Sequence, residues 1–235
     1  MPTPPYEPGE VVELVRDSFD QLRRDIVELV ANRQMWKEVT DAINSRAADT
    51  PATWRNHYSR MYAVAQMVAI RRLARGRSSE VSFVGILRTL ADHPTAITEE
   101  FIRCEGKAQG ADPGLIERGV EAFRREWAGS TGYLDPCIPR RDVNELMRVA
   151  RPVMDWVDEV EAHRLPPSET GPPAPLFGDI HAAIDKLIEI FQRYYVLLTG
   201  TYVAWGGLVI DPDWVRTFDR PLFDPPRGPL GNPER

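Results

Sequence analysis

Ile180, Ile184, Leu187, Ile188, Phe191, Tyr194, Tyr195 and Leu198 recur at intervals of three and four residues across 180–198. That spacing follows the 3.6-residue turn of an α-helix and predicts an amphipathic helix with a wide apolar stripe. Such a stripe must be covered by elements with the same demand, and the chain supplies them. Over 10–33 the residues Val11, Val12, Val15, Phe19, Leu22, Ile26, Leu29 and Val30 form a second stripe opposite Arg, Asp and Glu. A shorter helix is expected around Met35, Trp36, Val39 and Ile43. Thr50-Pro51 reads as a helix start, because threonine can cap and proline suits the first turn. The helix it opens carries Trp54, Tyr58, Met61, Tyr62, Ala65, Val68, Ala69 and Leu73. Its segment "MYAVAQMVAI" (61–70) is apolar nearly all round, which predicts a central helix packed on several sides.

Gly76 is expected to end that helix before another over 79–91. Asp112-Pro113 opens a helix over 112–128, with Leu115, Ile116, Val120, Phe123 and Trp127 at helical spacing. A loop with Gly129, Gly132 and Pro136 then leads into a helix over 140–162, where Pro152 should kink or split the run. "RLPPSETGPPAP" (164–175) cannot be regular helix. No β-type alternation of any length and no fixed-period repeat occur. The fold class is all-α, a bundle of seven or eight helices over 10–220. Residues 1–9 are expected to be disordered, and 221–235 to form a proline-rich tail.

Net charge is −6, with 26 of the 29 basic residues arginine. A broad basic footprint for nucleic acid is therefore missing, although a local basic cleft is not excluded by that balance. Cys104 and Cys137 stand in unrelated contexts and form no zinc spacing or disulfide framework. No metal or cofactor motif is present. The longest apolar stretch, 194–210, is interrupted by Thr199, Gly200 and Gly206-Gly207 and is short for a span of roughly 20 apolar residues. A cytoplasmic protein without membrane contact is the expectation.

Phosphate-binding glycine loops, HExxH and EF-hand patterns are missing. The acidic pairs Glu99-Glu100 and Asp158-Glu159 read as helix-end or solvated groups. What remains is arginine and histidine. Metal-independent RNA cleavage needs a group to take the 2′-hydroxyl proton and a cation beside the phosphate. A histidine with an arginine five to seven residues upstream can supply both. Arg88 and His93 meet that spacing, but about one such match is expected by chance, so they read as a helix end before Pro94. Arg55 and His57 lie on the 51–73 helix with the wrong spacing, where buried polar or interhelical contacts are expected. His163 closes a helix beside the proline-rich loop, yet Asp158, Val157 and Trp156 occupy the upstream positions and Arg164 follows. Its residues alone read as a histidine facing the last carbonyls of its helix.

The run from "WKEVTDAINSRAADTPATWRNHYSRMYAVAQMVAIRRLARGRSSEVSFVGILRTLADHP" through "VEAHR" and "HAAIDKLIEIFQRYYVLLTG" to "DWVRTF" resembles HEPN-like proteins of the AbiU, abortive-infection type. The likeness spans about 10–220 and lies in the order and spacing of features. It implies an HEPN-like helical bundle in a phage-defence or toxin–antitoxin-like system. It also implies a homodimer, an RNA substrate or an antitoxin-like partner protein, and metal-independent endoribonuclease chemistry. The motif's histidine falls on His163. Its arginine has no counterpart upstream, and Arg164 is the candidate substitute cation. The alternative is a catalytically silent helical module that dimerises or binds a partner protein. Its apolar surface would be Trp205, Leu208, Val209, Ile210 and Trp214, unless these pack the C-terminus back onto the core.

Overall fold

The computed structural model describes residues 8–45, 51–76, 81–161, 173–203 and 205. Among them seven α-helices run in the order α1 (Pro8–Ser45), α2 (Ala52–Ala74), α3 (Phe83–Asp92), α4 (Glu99–Ala108), α5 (Pro113–Phe123), α6 (Cys137–Trp156) and α7 (Phe177–Thr199). The β-type pairing among these residues is one isolated bridge, Thr98 to Tyr133. No described helix is long and apolar enough to cross a membrane.

The helix at the centre is α7. Ile180, Ile184, Leu187, Ile190, Phe191, Tyr194, Leu197 and Leu198 are all buried, and α1, α2, α4 and α6 pack around it. Phe191 stacks on Phe19 of α1 at 5.2 Å and meets Phe83 of α3 edge-on at 6.0 Å, an arrangement that the aromatic quadrupole favours. Gly200 ends α7 in the left-handed conformation, φ 63°, which a residue without Cβ adopts freely.

The helix expected to be packed on several sides, α2, meets α1, α3, α6 and α7, but one face of 61–70 stays open. On α2, Tyr62, Gln66, Met67, Ile70, Leu73 and Ala74 are buried, while Met61 and Val68 are about half exposed. An all-round apolar composition thus leaves an uncovered stripe, Met61, Ala65 and Val68, on the outer face.

Other boundaries move for identifiable reasons. The segments expected at 10–33 and around 35–43 are one continuous helix, since no residue at 31–38 interrupts hydrogen bonding and the stripe carries on through buried Val39 and Ile43. Pro51 occupies the cap position before α2 without a side-chain cap, and Thr50 lies outside the described residues. α3 begins at Phe83 because the Ser82 hydroxyl accepts from the Gly85 N–H at 3.0 Å. α4 was not anticipated; Thr98 caps it by accepting from the Phe101 N–H. The count of seven therefore arises from one merger and one addition. α6 passes Pro152 unbroken and widens only afterwards, in a π turn over Val157–Glu161. α5 is capped by Asp112 with Pro113 in its first turn, as anticipated.

A polar clamp joins α6 to α7. Asp142 is 1% exposed; it accepts from the Tyr194 hydroxyl at 3.0 Å and pairs with Arg193 at 3.3 Å and Arg141 at 3.2 Å. Arg193 also lies over the Trp127 ring at 5.2 Å. Burial first, then the Asp142 charge, push the Tyr194 phenol far above its ordinary range. Asp142→Ala leaves these donors without their acceptor and is expected to lower the unfolding free energy in urea by about 3 kcal/mol. Tyr194→Phe should cost about 1 kcal/mol. An Asp142→Ala loss below the Tyr194→Phe loss contradicts the clamp.

Candidate functional site

His163 and Arg164 lie outside the described residues, as do Leu208, Val209, Ile210 and Trp214. The structure does describe the helix end that leads to His163. There the π turn after α6 carries Asp158, a third exposed, between two guanidinium groups of α2. Arg71 Nε pairs with Asp158 Oδ1, and Arg75 Nη1 donates to the same oxygen at 2.8 Å. Arg71 lies in the last turn of α2 and Arg75 just beyond its end in extended backbone, so the chain leaving the helix brings the second guanidinium to the same carboxylate. One carboxylate between two guanidinium groups leaves a net positive charge. Sequence spacing set Asp158 where a cation was wanted; tertiary packing brings two cations from another helix. Trp156, seven residues before His163 in the sequence, is half-buried against the core, and Glu159 is exposed.

The other histidines are resolved by the same geometry. Arg88 donates to the Gly76 carbonyl at 3.3 Å, while His93 caps α3. Five residues of helix rotate about 140°, so the two side chains leave on different sides and share no cleft. His57 is exposed, which overturns the expected buried contact. Glu99 pairs with Arg124 and Arg103 at the start of α4, the helix-end role expected of it. Glu100 is exposed, in loose contact with Arg103 at 3.9 Å.

Sequence reading passed over His181. Trp36 of α1 stacks on Tyr62 of α2 at 4.7 Å and on Phe177 of α7 at 4.9 Å, with the His181 ring edge-on at 5.5 Å. His181 Nε2 is 3.1 Å from the Tyr62 hydroxyl. Arg33 pairs with Asp185 beside it. Burial, then the Arg33 charge, lower the His181 pKa from its ordinary 6.5, with Asp185 opposing. Burial likewise raises the Tyr62 phenol to about 12. Packing among these rings therefore disfavours the charged imidazole. Its sequence signal was the histidine and aspartate one turn apart in "HAAID", indistinguishable there from a solvated helix face.

Trp205 packs back on the core: its ring meets Phe191 at 5.8 Å and its indole N–H donates to Gln192 at 2.9 Å. Cys104 and Cys137 are free and exposed. Among the described residues no cluster of His, Cys, Asp and Glu is arranged to hold a metal ion. Protein-family models, curated proteins and solved structures give no match to this chain.

The sign of the His181 shift sets a pH dependence. Its folded pKa lies below its unfolded value, so the contribution to stability is present above about 6.5 and is lost as pH falls through the folded pKa. Proton NMR of the imidazole should give a midpoint below 6.5 that moves up in Arg33→Gln. A midpoint at or above 6.5 contradicts that effect of the packing.

Proposed function

We propose that the chain is an HEPN-like helical protein of a phage-defence or toxin–antitoxin-like system, acting on RNA at the junction of α2 and the end of α6. His163 serves as the acid/base. Its cation comes from Arg71 and Arg75 in space, with Arg164 adjacent in sequence, in place of an upstream arginine. The observation that carries this reading is the convergence of Arg71 and Arg75 on Asp158, five residues before His163.

The chemistry needs no metal. His163 takes the proton of a ribose 2′-hydroxyl, and the 2′-oxygen attacks phosphorus. The bond to the 5′-oxygen breaks, leaving a 2′,3′-cyclic phosphate, and the proton is returned to the departing 5′-oxygen. Guanidinium groups stabilise the charge that builds on the phosphoryl oxygens. Asp158 holds those groups in register and lowers their net charge to a single positive, enough for one phosphate without a broad basic surface.

Purified protein in EDTA with mixed RNA is expected to cleave. His163→Ala and the Arg71→Gln/Arg75→Gln pair should each lower the rate by about 100-fold or more, with unchanged helical circular dichroism. Parent protein that does not cleave at concentrations populating any dimer contradicts the reading, as do variants that cleave like the parent.

A second reading, a silent module that dimerises, is favoured by one observation. The stripe Met61, Ala65 and Val68 on α2 is uncovered and continues at helical spacing to the exposed Arg72. A second copy packed along it would bury the stripe. Sedimentation should then show a parent dimer that Val68→Glu dissociates; a parent that stays monomeric removes this reading.

A further inference from the structure

An open cleft of about 740 Å³ lies among α4, α5 and the C-terminal end of α7. Its size is that of a small-molecule site. The walls are mainly apolar: Leu115, Ile116, Trp127, Val196 and Tyr202 are among them. Leu115, Val196 and Tyr202 are 53%, 40% and 74% exposed, so three large apolar side chains face solvent around one concavity. α4 and α5 meet closely beside it at Gly106, where an added Cβ would come within 2.8 Å of Ile116. The cleft is thus backed by a fixed crossing.

Four charged residues line it, and three are already compensated. Glu105 pairs with Arg16, Glu126 with Arg125 at 2.7 Å, and Arg193 with Asp142. Arg118 is exposed and has no ion-pair or hydrogen-bond partner among the described residues. Arg118 is thus the lining charge without a partner.

Gln192, 8% exposed, also lines the cleft. Its side-chain oxygen accepts from the Val203 N–H at 3.2 Å and the Trp205 indole N–H at 2.9 Å. Two donors on that oxygen fix the amide's orientation, and the amino group is left without a partner. A buried donor without an acceptor is costly, and such groups in native proteins call for an explanation. The amino nitrogen is closed to solvent as the wall stands, and an acceptor admitted by a small shift of that wall would remove the cost.

We propose that this cleft binds an anionic amphipath: a small molecule with an extended apolar body and one carboxylate. The apolar body covers Leu115, Val196 and the Trp127 face, Arg118 supplies the counter-charge, and the Gln192 amino group donates to a ligand oxygen. A cationic amphipath would meet one uncompensated guanidinium and an amide donor with nothing to accept from. The site is independent of the chemistry at His163, and neither stands or falls with the other.

The test is calorimetric titration of the full chain with dodecanoate, dodecanol and dodecyltrimethylammonium, all below micelle-forming concentrations. Dodecanoate should bind saturably at one per chain, more tightly than dodecanol, with no saturable binding of the ammonium compound. Arg118→Gln should weaken dodecanoate about tenfold and leave dodecanol unchanged. Gln192→Glu keeps an oxygen for Val203 and Trp205 but removes the donor and adds negative charge, and should weaken dodecanoate further. Thermal melting of both variants checks that they fold. Equal binding of the three probes, an Arg118→Gln titration like the parent's, or no saturable dodecanoate binding each overturns the proposal.

Discussion

The structure depends on burying α7. A helix with so many buried apolar positions has to be enclosed, and each neighbour meets it with its own stripe: α1 through Phe19, α3 through Phe83, α6 through the Asp142 clamp. Burial of apolar area supplies most of the driving force, but it is non-directional. The clamp adds direction, because the buried Asp142 carboxyl finds its hydrogen-bond and ion-pair partners only where Tyr194 and Arg193 reach it. That fixes the rotation of α7 against α6. Everything hung from either helix is positioned in consequence: the π turn carrying Asp158, the His181 face and the wall of the α4–α5 cleft.

Two kinds of surface follow from this frame. Where α2 passes the end of α6, paired guanidinium groups surround a single carboxylate, a polar arrangement suited to one phosphate. Where α4 and α5 lean away from the end of α7, apolar side chains stay exposed around one unpaired cation and one orphaned amide, an arrangement suited to an amphipathic anion. Gln192 and Arg193 show how closely frame and cleft are connected. They are neighbours on α7, one holding the chain after the helix and the other completing the Asp142 clamp, and both face the cleft. The net charge of −6 is consistent with both surfaces, since each relies on one local positive charge.

The all-helical class was legible because stripes such as 180–198 and 112–128 repeat at helical period over many turns. Capped starts were legible where cap and proline coincide, as at Asp112-Pro113. The α4 helix was missed because its ten residues carry few apolar side chains and bury none of them, and its start depends on one threonine hydroxyl. The open stripe on 61–70 has a different cause. Composition reports how apolar a helix is, but not which of its faces the neighbours cover, and Met61 and Val68 stay about half exposed. Pro152 does not split α6, because the loss of one backbone donor at an exposed position can be absorbed without a break. At the candidate site, sequence spacing could express only what lies on the same helix. Arg71 and Arg75 are 87 and 83 residues from Asp158, and no local pattern reports that separation. His181 was hidden in the same way, its meaning resting on Trp36 and Tyr62 from two other helices.

The proposed function needs Arg71 and Arg75 to act together with His163, and the histidine's own titration tests this most directly. Nearby cations disfavour the imidazolium and hold its pKa down. In a carbon-13-labelled protein, the His163 midpoint should therefore rise when Arg71 and Arg75 are both replaced by glutamine. A midpoint that does not move would mean that the cations held by Asp158 face elsewhere, and that His163 is without the partner the account assigns to it.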